Sequence, residues 1–200
     1  MESTEPSEPT ERAEQVGARA NWFIALPVAA GPWFARLQAP PGVRLFGPND
    51  LHLTVAFLGA VSEQLALSAF EVARALPLAA LDIQLDRVEG LGSARRPSAF
   101  SALVGTGRLA VERACTAVRD EMWERAQAKR DTRPALAHIT LARARRRATR
   151  AELAAALSWA RGLELGAPSC RLERVALFTW SDDRAQSLFR IHSELPLSGS

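Results

Sequence analysis

The 200-residue chain lacks any run of about eighteen apolar residues, which excludes a helical membrane span. Met1 to Ala20 lacks a basic start leading into an apolar stretch, so this segment is not expected to be a secretory signal. Cysteine is scarce. Cys115 and Cys170 stand far apart, with no C-x-x-C spacing and no Cys/His cluster nearby. That argues against a disulfide framework or a structural zinc site, and two buried thiols in a reducing cytoplasm are expected instead. No glycine-rich phosphate loop follows a strand, which argues against a doubly wound nucleotide fold. No repeat of solenoid length is present. Lysine is almost missing, with Lys129 the only one, and histidine occurs three times.

Arginine and apolar residues make up much of the rest. Forty-eight per cent of the chain is hydrophobic, enough to bury the core of one domain or of a closely packed two-lobed unit. Met1 to Ala20 holds five Glu, two Arg and almost no large apolar side chain, so it is expected to be a disordered acidic tail. The remainder, 21–197, carries the net positive charge, and Ser198 to Ser200 is expected to fray. Arginine presents a planar fork that grips phosphate from two directions, so this modest excess suits a phosphate-bearing partner, and a genome-wide Arg and Ala bias explains it equally well.

Element by element, the sequence predicts strands at Trp22–Leu26, Val43–Phe46, Leu51–Leu58, Leu81–Asp86, Ala99–Val104, Ala137–Ala142, Arg171–Trp180 and Ser187–Leu195. Helices are predicted over Val28–Gln38, Ser62–Leu76, Arg108–Lys129 and Thr149–Arg161, with Ser62 and Thr149 as N-caps. Gly47-Pro48-Asn49-Asp50 and Asp131–Pro134 are turns by composition. Mixed elements and short connections between neighbouring strands indicate an α+β fold with antiparallel sheets.

Two of the strands carry the same phrase: His52-Leu53-Thr54-Val55 and His138-Ile139-Thr140-Leu141. Successive side chains on a strand point to opposite faces, so His and Thr share one face while the apolar residues enter the core. Across a pseudo-twofold axis, the two copies would set two imidazoles around one cleft. In-line displacement at phosphorus needs a base where the nucleophile enters and an acid where the leaving oxygen departs. Imidazole serves either role near neutrality, and Thr hydroxyls can donate to the non-bridging oxygens. A rate that depends on one neutral and one charged imidazole should be bell-shaped, with a maximum expected near neutrality. The third histidine, His192, has no Thr two residues on and is read as structural or surface-exposed.

These paired motifs resemble the signature of the 2H phosphoesterase superfamily, in particular its RNA 2′,3′-cyclic phosphodiesterase (2′-5′ RNA ligase) branch. The likeness extends to Trp22–Pro27, to Pro48–Gly59 around the first motif, to Arg133–Arg143 around the second, and to Val175–Phe178 with the closing strand up to Leu197. The resemblance implies a bilobal α+β fold with flanking helices, in which each lobe brings one H-x-T strand to a central cleft. It implies hydrolysis of a terminal RNA 2′,3′-cyclic phosphate to a 2′-phosphate without metal or other cofactor, and in some members 2′-5′ joining of RNA ends. By position, His52 matches the proton donor, His138 the base, and Thr54 and Thr140 the phosphate ligands. Arg143 matches a basic residue near the second motif. Phe23 is a further candidate RNA contact, since aromatic faces hold unpaired bases, although a place in the core is the stronger reading of its apolar strand. The dense run Arg143, Arg145, Arg146, Arg147 and Arg150 suits either an RNA backbone or a solvated loop.

The expected partner is an RNA end, and the expected molecule is a cytoplasmic monomer. Three alternatives remain open at this level: a 2H phosphoesterase for a small cyclic phosphate, a non-catalytic RNA-binding module, and a metal hydrolase. The last lacks a third ligand at suitable spacing.

Overall fold

A computed structural model describes residues 20–93 and 96–199. The acidic tail therefore lies outside the described residues, apart from Ala20. Strand β1 (Trp22–Pro27) is buried on both faces and is followed by a single helical turn, α1 (Pro32–Ala35). The sequence pattern extends that helix over Val28–Gln38. Pro27 and Gly31 ahead of it, Pro32 at its first position and Pro40-Pro41 behind confine it to four residues. Next come β2 (Val43–Leu45), a 3-10 turn at Pro48–Asp50, and β3 (His52–Gly59).

Helix α2 (Glu63–Phe70) begins as expected, with the Ser62 hydroxyl accepting from Leu65 N–H at 3.3 Å. It tightens into a 3-10 segment at Glu71–Ala75 before Pro77. Strands β4 (Leu81–Ser93) and β5 (Arg96–Val104) form a hairpin longer than the alternation predicts. Register shifts at Leu85/Val88 and at Leu91/Gly92 break the period-two pattern, so the sequence shows only the two ends nearest the core. Helix α3 (Arg108–Arg125) stops short of Lys129 because Gln127 takes a left-handed φ of 51°.

Strand β6 (His138–Ala144) carries the second motif. Helix α4 (Arg150–Gly162) is closed by a capping box between Thr149 and Glu152. The stretch read as one strand, Arg171–Trp180, is two: β7 (Ser169–Leu172) and β8 (Arg174–Trp180). The apolar pattern runs on through Glu173, but β7 pairs with β4 and β8 with β1. Strand β9 (Phe189–Pro196) closes the chain. Past it, Ser198 bridges Ala79 and accepts from Ala80 N–H at 2.8 Å, so pairing continues beyond Leu197.

The strands lie in the order β7-β4-β5-β6-β3-β1-β8-β9, with β2 beside β6. Two four-stranded arms, β6-β5-β4-β7 and β3-β1-β8-β9, thus meet where the two motif strands touch. That junction is one antiparallel pair, Leu53 opposite Ile139. Each is the apolar residue between His and Thr of its motif, and both are buried in the main core. Helices α2 and α3 pack behind the β3-β1-β8 arm and α4 behind β4 and β5. A second, small cluster of Phe23, Ala25, Ala176 and Phe178 is separate from the main core and lies beside the first motif.

Candidate active site

The repeat is longer in the structure than the tetrapeptide suggests. In β3, Ala25 pairs with Thr54 but Ile24 pairs with Ala56, so Val55 is an extra residue. In β6, Ser101 pairs with Thr140 but Phe100 pairs with Ala142, so Leu141 is extra. Each motif strand therefore carries a bulge at the same place. A bulge re-aims the side chains beyond it. Residues three beyond the Thr, Phe57 and Arg143, join His and Thr in lining the cleft. The six-residue phrases His-Leu-Thr-Val-Ala-Phe and His-Ile-Thr-Leu-Ala-Arg align throughout. Phe57, 54% exposed, was not singled out from sequence, although its place matches that of Arg143.

Both imidazoles are tethered alike. His52 Nδ1 lies 2.7 Å from the carbonyl of Asp50, and His138 Nδ1 lies 2.7 Å from the carbonyl of Leu136. A carbonyl only accepts, so Nδ1 carries the hydrogen in both rings and Nε2 is left for a ligand. The surroundings differ. Phe23, Phe178 and Phe189 stand at 4.7, 5.5 and 5.5 Å from the His52 ring. Burial pushes the His52 pKa down to about 4, against the pull of the Asp50 carbonyl and carboxylate. His138 is also lowered, first by burial and then by the Arg133 charge, with the Leu136 carbonyl opposing.

The tethers are themselves held. Asp50 is 1% exposed. Its carboxylate accepts from Gly47 N–H at 3.1 Å, Ser187 Oγ at 2.7 Å, Leu188 N–H at 2.8 Å and Phe189 N–H at 3.1 Å. This binds the turn before His52 to the start of β9. On the other side, Glu112 of α3 accepts from Ala137 N–H at 3.1 Å, just ahead of His138. Composition assigns Asp50 only a turn role, because its partners lie more than 130 residues away and no local pattern announces them.

Thr54 and Thr140 are half-buried on the same face as the imidazoles. They differ across the sheet: Thr140 Oγ1 is 3.3 Å from Ser101 Oγ, whereas Thr54 stands opposite Ala25. Two cavities meet here. Thr54, Phe57, His138, Thr140 and Arg143 line both. One, of about 390 Å³, adds His52, Phe46, Trp180, Arg44 and Arg184. The other, of about 460 Å³, adds Arg119, Arg133, Leu136 and Cys115. Two tethered imidazoles, two hydroxyls and arginines suit an anion whose bridging oxygens exchange protons.

A family model for the 2′-5′ RNA ligase superfamily matches residues 26–184. The chain belongs to that superfamily, within the 2H phosphoesterases. Its fold is that of E. coli LigT in complex with 3′-AMP, at a TM-score of 0.61 and 20% identity over 89% of this chain and 98% of that one. It is likewise that of TT0787 of Thermus thermophilus, at 0.65 and 20%, covering 90% and 99%. Kluyveromyces marxianus Usb1 is similar at 0.54 and 10%, covering 89% and 97%. No curated protein matches the chain in sequence.

Within this 2H phosphoesterase, six residues singled out from sequence come together: His52, His138, Thr54, Thr140, Arg143 and Phe23 all line the smaller cavity. Phe23 does so as a buried residue of the small apolar cluster. It is 3% exposed, stacked on Phe178 at 5.0 Å and set against His52, which leaves little surface for a base. Exposed Phe57, opposite it in register, is the more available ring. Of the arginine run, only Arg143 reaches the cleft, while Arg145, Arg146, Arg147 and Arg150 lie on or beside the turn beyond β6 and line neither cavity. His192 lines neither cavity; it lies 3.2 Å from Glu63 and 5.2 Å from the Trp22 ring. Cys115 and Cys170 are free and buried, and burial pushes the Cys115 thiol up to about 12, unsuited to a nucleophile. Among the described residues, no three His, Cys, Asp or Glu side chains gather as a metal site, and no helix is long and apolar enough to cross a membrane.

Proposed function

We propose that this 2H phosphoesterase opens the 2′,3′-cyclic phosphate at an RNA end by metal-independent acid–base catalysis. The observation that carries the reading is the matched pair of imidazoles, each fixed through Nδ1 to the carbonyl two residues back, beside a Thr hydroxyl on a shared cleft.

His138 takes the proton of the attacking water, whose oxygen bonds to phosphorus. The bond from phosphorus to the 3′ oxygen breaks, and His52 gives that oxygen its proton. Thr54 and Thr140 donate to the non-bridging oxygens, and Arg143 offsets their charge. The environments support this division of labour. An imidazolium with a depressed pKa is the stronger acid, and the less depressed imidazole is the better base. Both rings are biased to the neutral form in the free protein, so the incoming phosphate anion supplies the negative charge that brings a proton to the site.

The product tests the orientation. With His52 on the 3′ oxygen, the phosphate stays on the 2′ oxygen. Digesting a short RNA ending in a 2′,3′-cyclic phosphate, with and without EDTA, and resolving the products by phosphorus NMR should give only the 2′-phosphomonoester in both cases. A dominant 3′-phosphate refutes the orientation. Loss of activity on chelation, restored by one metal, moves the site to metal hydrolysis.

A further inference from the structure

The smaller cavity has a feature that opening a cyclic phosphate does not use. Arg44 on β2 and Arg143 on β6 are cross-strand partners, so their side chains emerge on one face of the sheet. Like charges directly opposite each other are destabilising. The neighbouring Arg44 charge also lowers the Arg143 pKa, though burial does so more. Among the described residues, neither has a carboxylate within ion-pair distance. Arg184 joins them in lining the cavity and lies over the Trp180 ring at 4.6 Å. No Asp or Glu among the described residues lines this cavity, whereas Glu112 and Asp131 line the other. Its remaining walls include the rings of Phe46, Phe57 and Trp180. One catalytic phosphate needs the Thr pair and one arginine. Two further arginines with no ion-pair partner among the described residues, set among aromatic faces, call for a second anion on a chain of bases.

We infer that Arg44 and Arg184 form a subsite for the phosphodiester immediately upstream of the reacting nucleotide, which makes the protein selective for oligonucleotide ends over mononucleotide cyclic phosphates. The subsite rests on the proposed reaction and adds a polarity to it. The RNA body leaves the site on the His52 side, where the ribose keeps its departing 3′ oxygen, through the smaller cavity, which no Asp or Glu among the described residues lines. The acid-bearing cavity beside His138 stays open to the entering water.

The experiment compares kcat/KM for a nucleoside 2′,3′-cyclic phosphate with that for a trinucleotide ending in the same cyclic phosphate. The wild type should favour the trinucleotide by about tenfold or more, as expected for charge-assisted hydrogen bonds to one phosphate. Arg44→Ala should reduce that ratio about tenfold, chiefly through KM, and Arg184→Ala should reduce it less. The salt dependence of the trinucleotide KM should flatten in both variants. Arg184→Ala lies in a surface turn and keeps the test alive if the β2 variant misfolds. A wild-type ratio near one, or a ratio untouched by both substitutions, overturns the subsite while leaving the proposed reaction intact. A wild type that turns over neither substrate overturns both.

Discussion

The two halves of the site share a backbone and differ in their solvent. Each offers the same six-residue phrase, the same bulge after Thr, and the same carbonyl hold on Nδ1. Around His52, however, three phenylalanine rings and a buried aspartate crowd the imidazole, while His138 sits under an exposed segment that includes Arg133 and Leu136. Repeating a strand motif reproduces geometry. It does not reproduce electrostatics, because those come from whatever the rest of the chain packs against each copy. The acid and the base of the proposed reaction are therefore distinguished by their neighbours rather than by their motifs.

The largest effect should come from removing either imidazole. His52→Ala and His138→Ala are each expected to lower kcat/KM on the cyclic phosphate by about 10²- to 10⁴-fold with the fold intact by circular dichroism. The two variants should separate on a diester with a nitrophenolate leaving group, which departs without a proton. There His52→Ala should recover much of its rate and His138→Ala should not. Equal losses on both substrates would erase the distinction between acid and base.

The holds on the two rings should also differ in weight. Asp50 satisfies four donors from a buried position, and Glu112 satisfies one backbone donor near His138. Asp50→Ala leaves one buried and three part-buried donors without their carboxylate and should cost about 3 kcal/mol of stability, with loss of rate because the turn carrying the His52 tether loosens. Glu112→Ala should cost about 1 kcal/mol. Urea denaturation of both variants checks this, and a Glu112 variant as damaged as the Asp50 one would contradict the ranking.

The pH response comes from the same contrast. In the unfolded chain His52 binds its proton near pH 6.5, whereas the folded protein resists until about 4. Stability from this group is thus complete above 6.5 and is lost as the pH falls through that window, by about 3 kcal/mol. His52→Gln should be markedly less acid-sensitive than the wild type between pH 7 and pH 4, and His138→Gln less changed. For activity, kcat/KM reports the free protein, whose two imidazoles are both lowered. Its maximum should therefore fall on the acid side of 6.5, not near neutrality as the motifs alone suggest. A bound phosphate anion raises both groups, so the kcat profile should lie at higher pH. A kcat/KM maximum above 7 would show that the aromatic wall does not govern His52.

What the sequence made legible tracks the range of the interactions involved. His52, Thr54, His138 and Thr140 were readable because alternation within one strand decides which face each side chain takes. The caps at Ser62 and Thr149 were readable because their partners lie three residues on. The division of Arg171–Trp180 was hidden, since β7 and β8 look alike locally and differ only in the strands they join. Asp50 was hidden for the same reason. Phe57 was a different case. Its signal was present in the repeat, but a strict period-two reading sends it to the wrong face. Only a bulge common to both copies brings it into register with Arg143.

The smallest expected effect concerns the two threonines, which the motif makes identical and the sheet does not. Thr140 Oγ1 has the fully buried Ser101 hydroxyl at 3.3 Å, and Thr54 has Ala25 in the matching position. A hydroxyl pair fixes a rotor: if Ser101 donates to Thr140, the Thr hydrogen is free to point at a phosphate oxygen without being spent on the protein. Ser101→Ala should therefore cost about 1 kcal/mol of stability. It should also lower kcat a few-fold with KM nearly constant, since the aimed hydrogen bond matters most as charge gathers on the oxygens. Ala25→Ser tests the converse. It places a hydroxyl opposite Thr54 in a position that is 0% exposed and packed with Phe23 and Phe178, so the gain in aim is set against the burial of a polar group. If Ser101→Ala leaves kcat unchanged while lowering stability, Ser101 is a packing residue and the two threonines act alike. If kcat falls and Thr140→Val adds nothing further to the Ser101→Ala loss, the pair acts as one unit, and the second half-site holds its phosphate oxygen more firmly than the first.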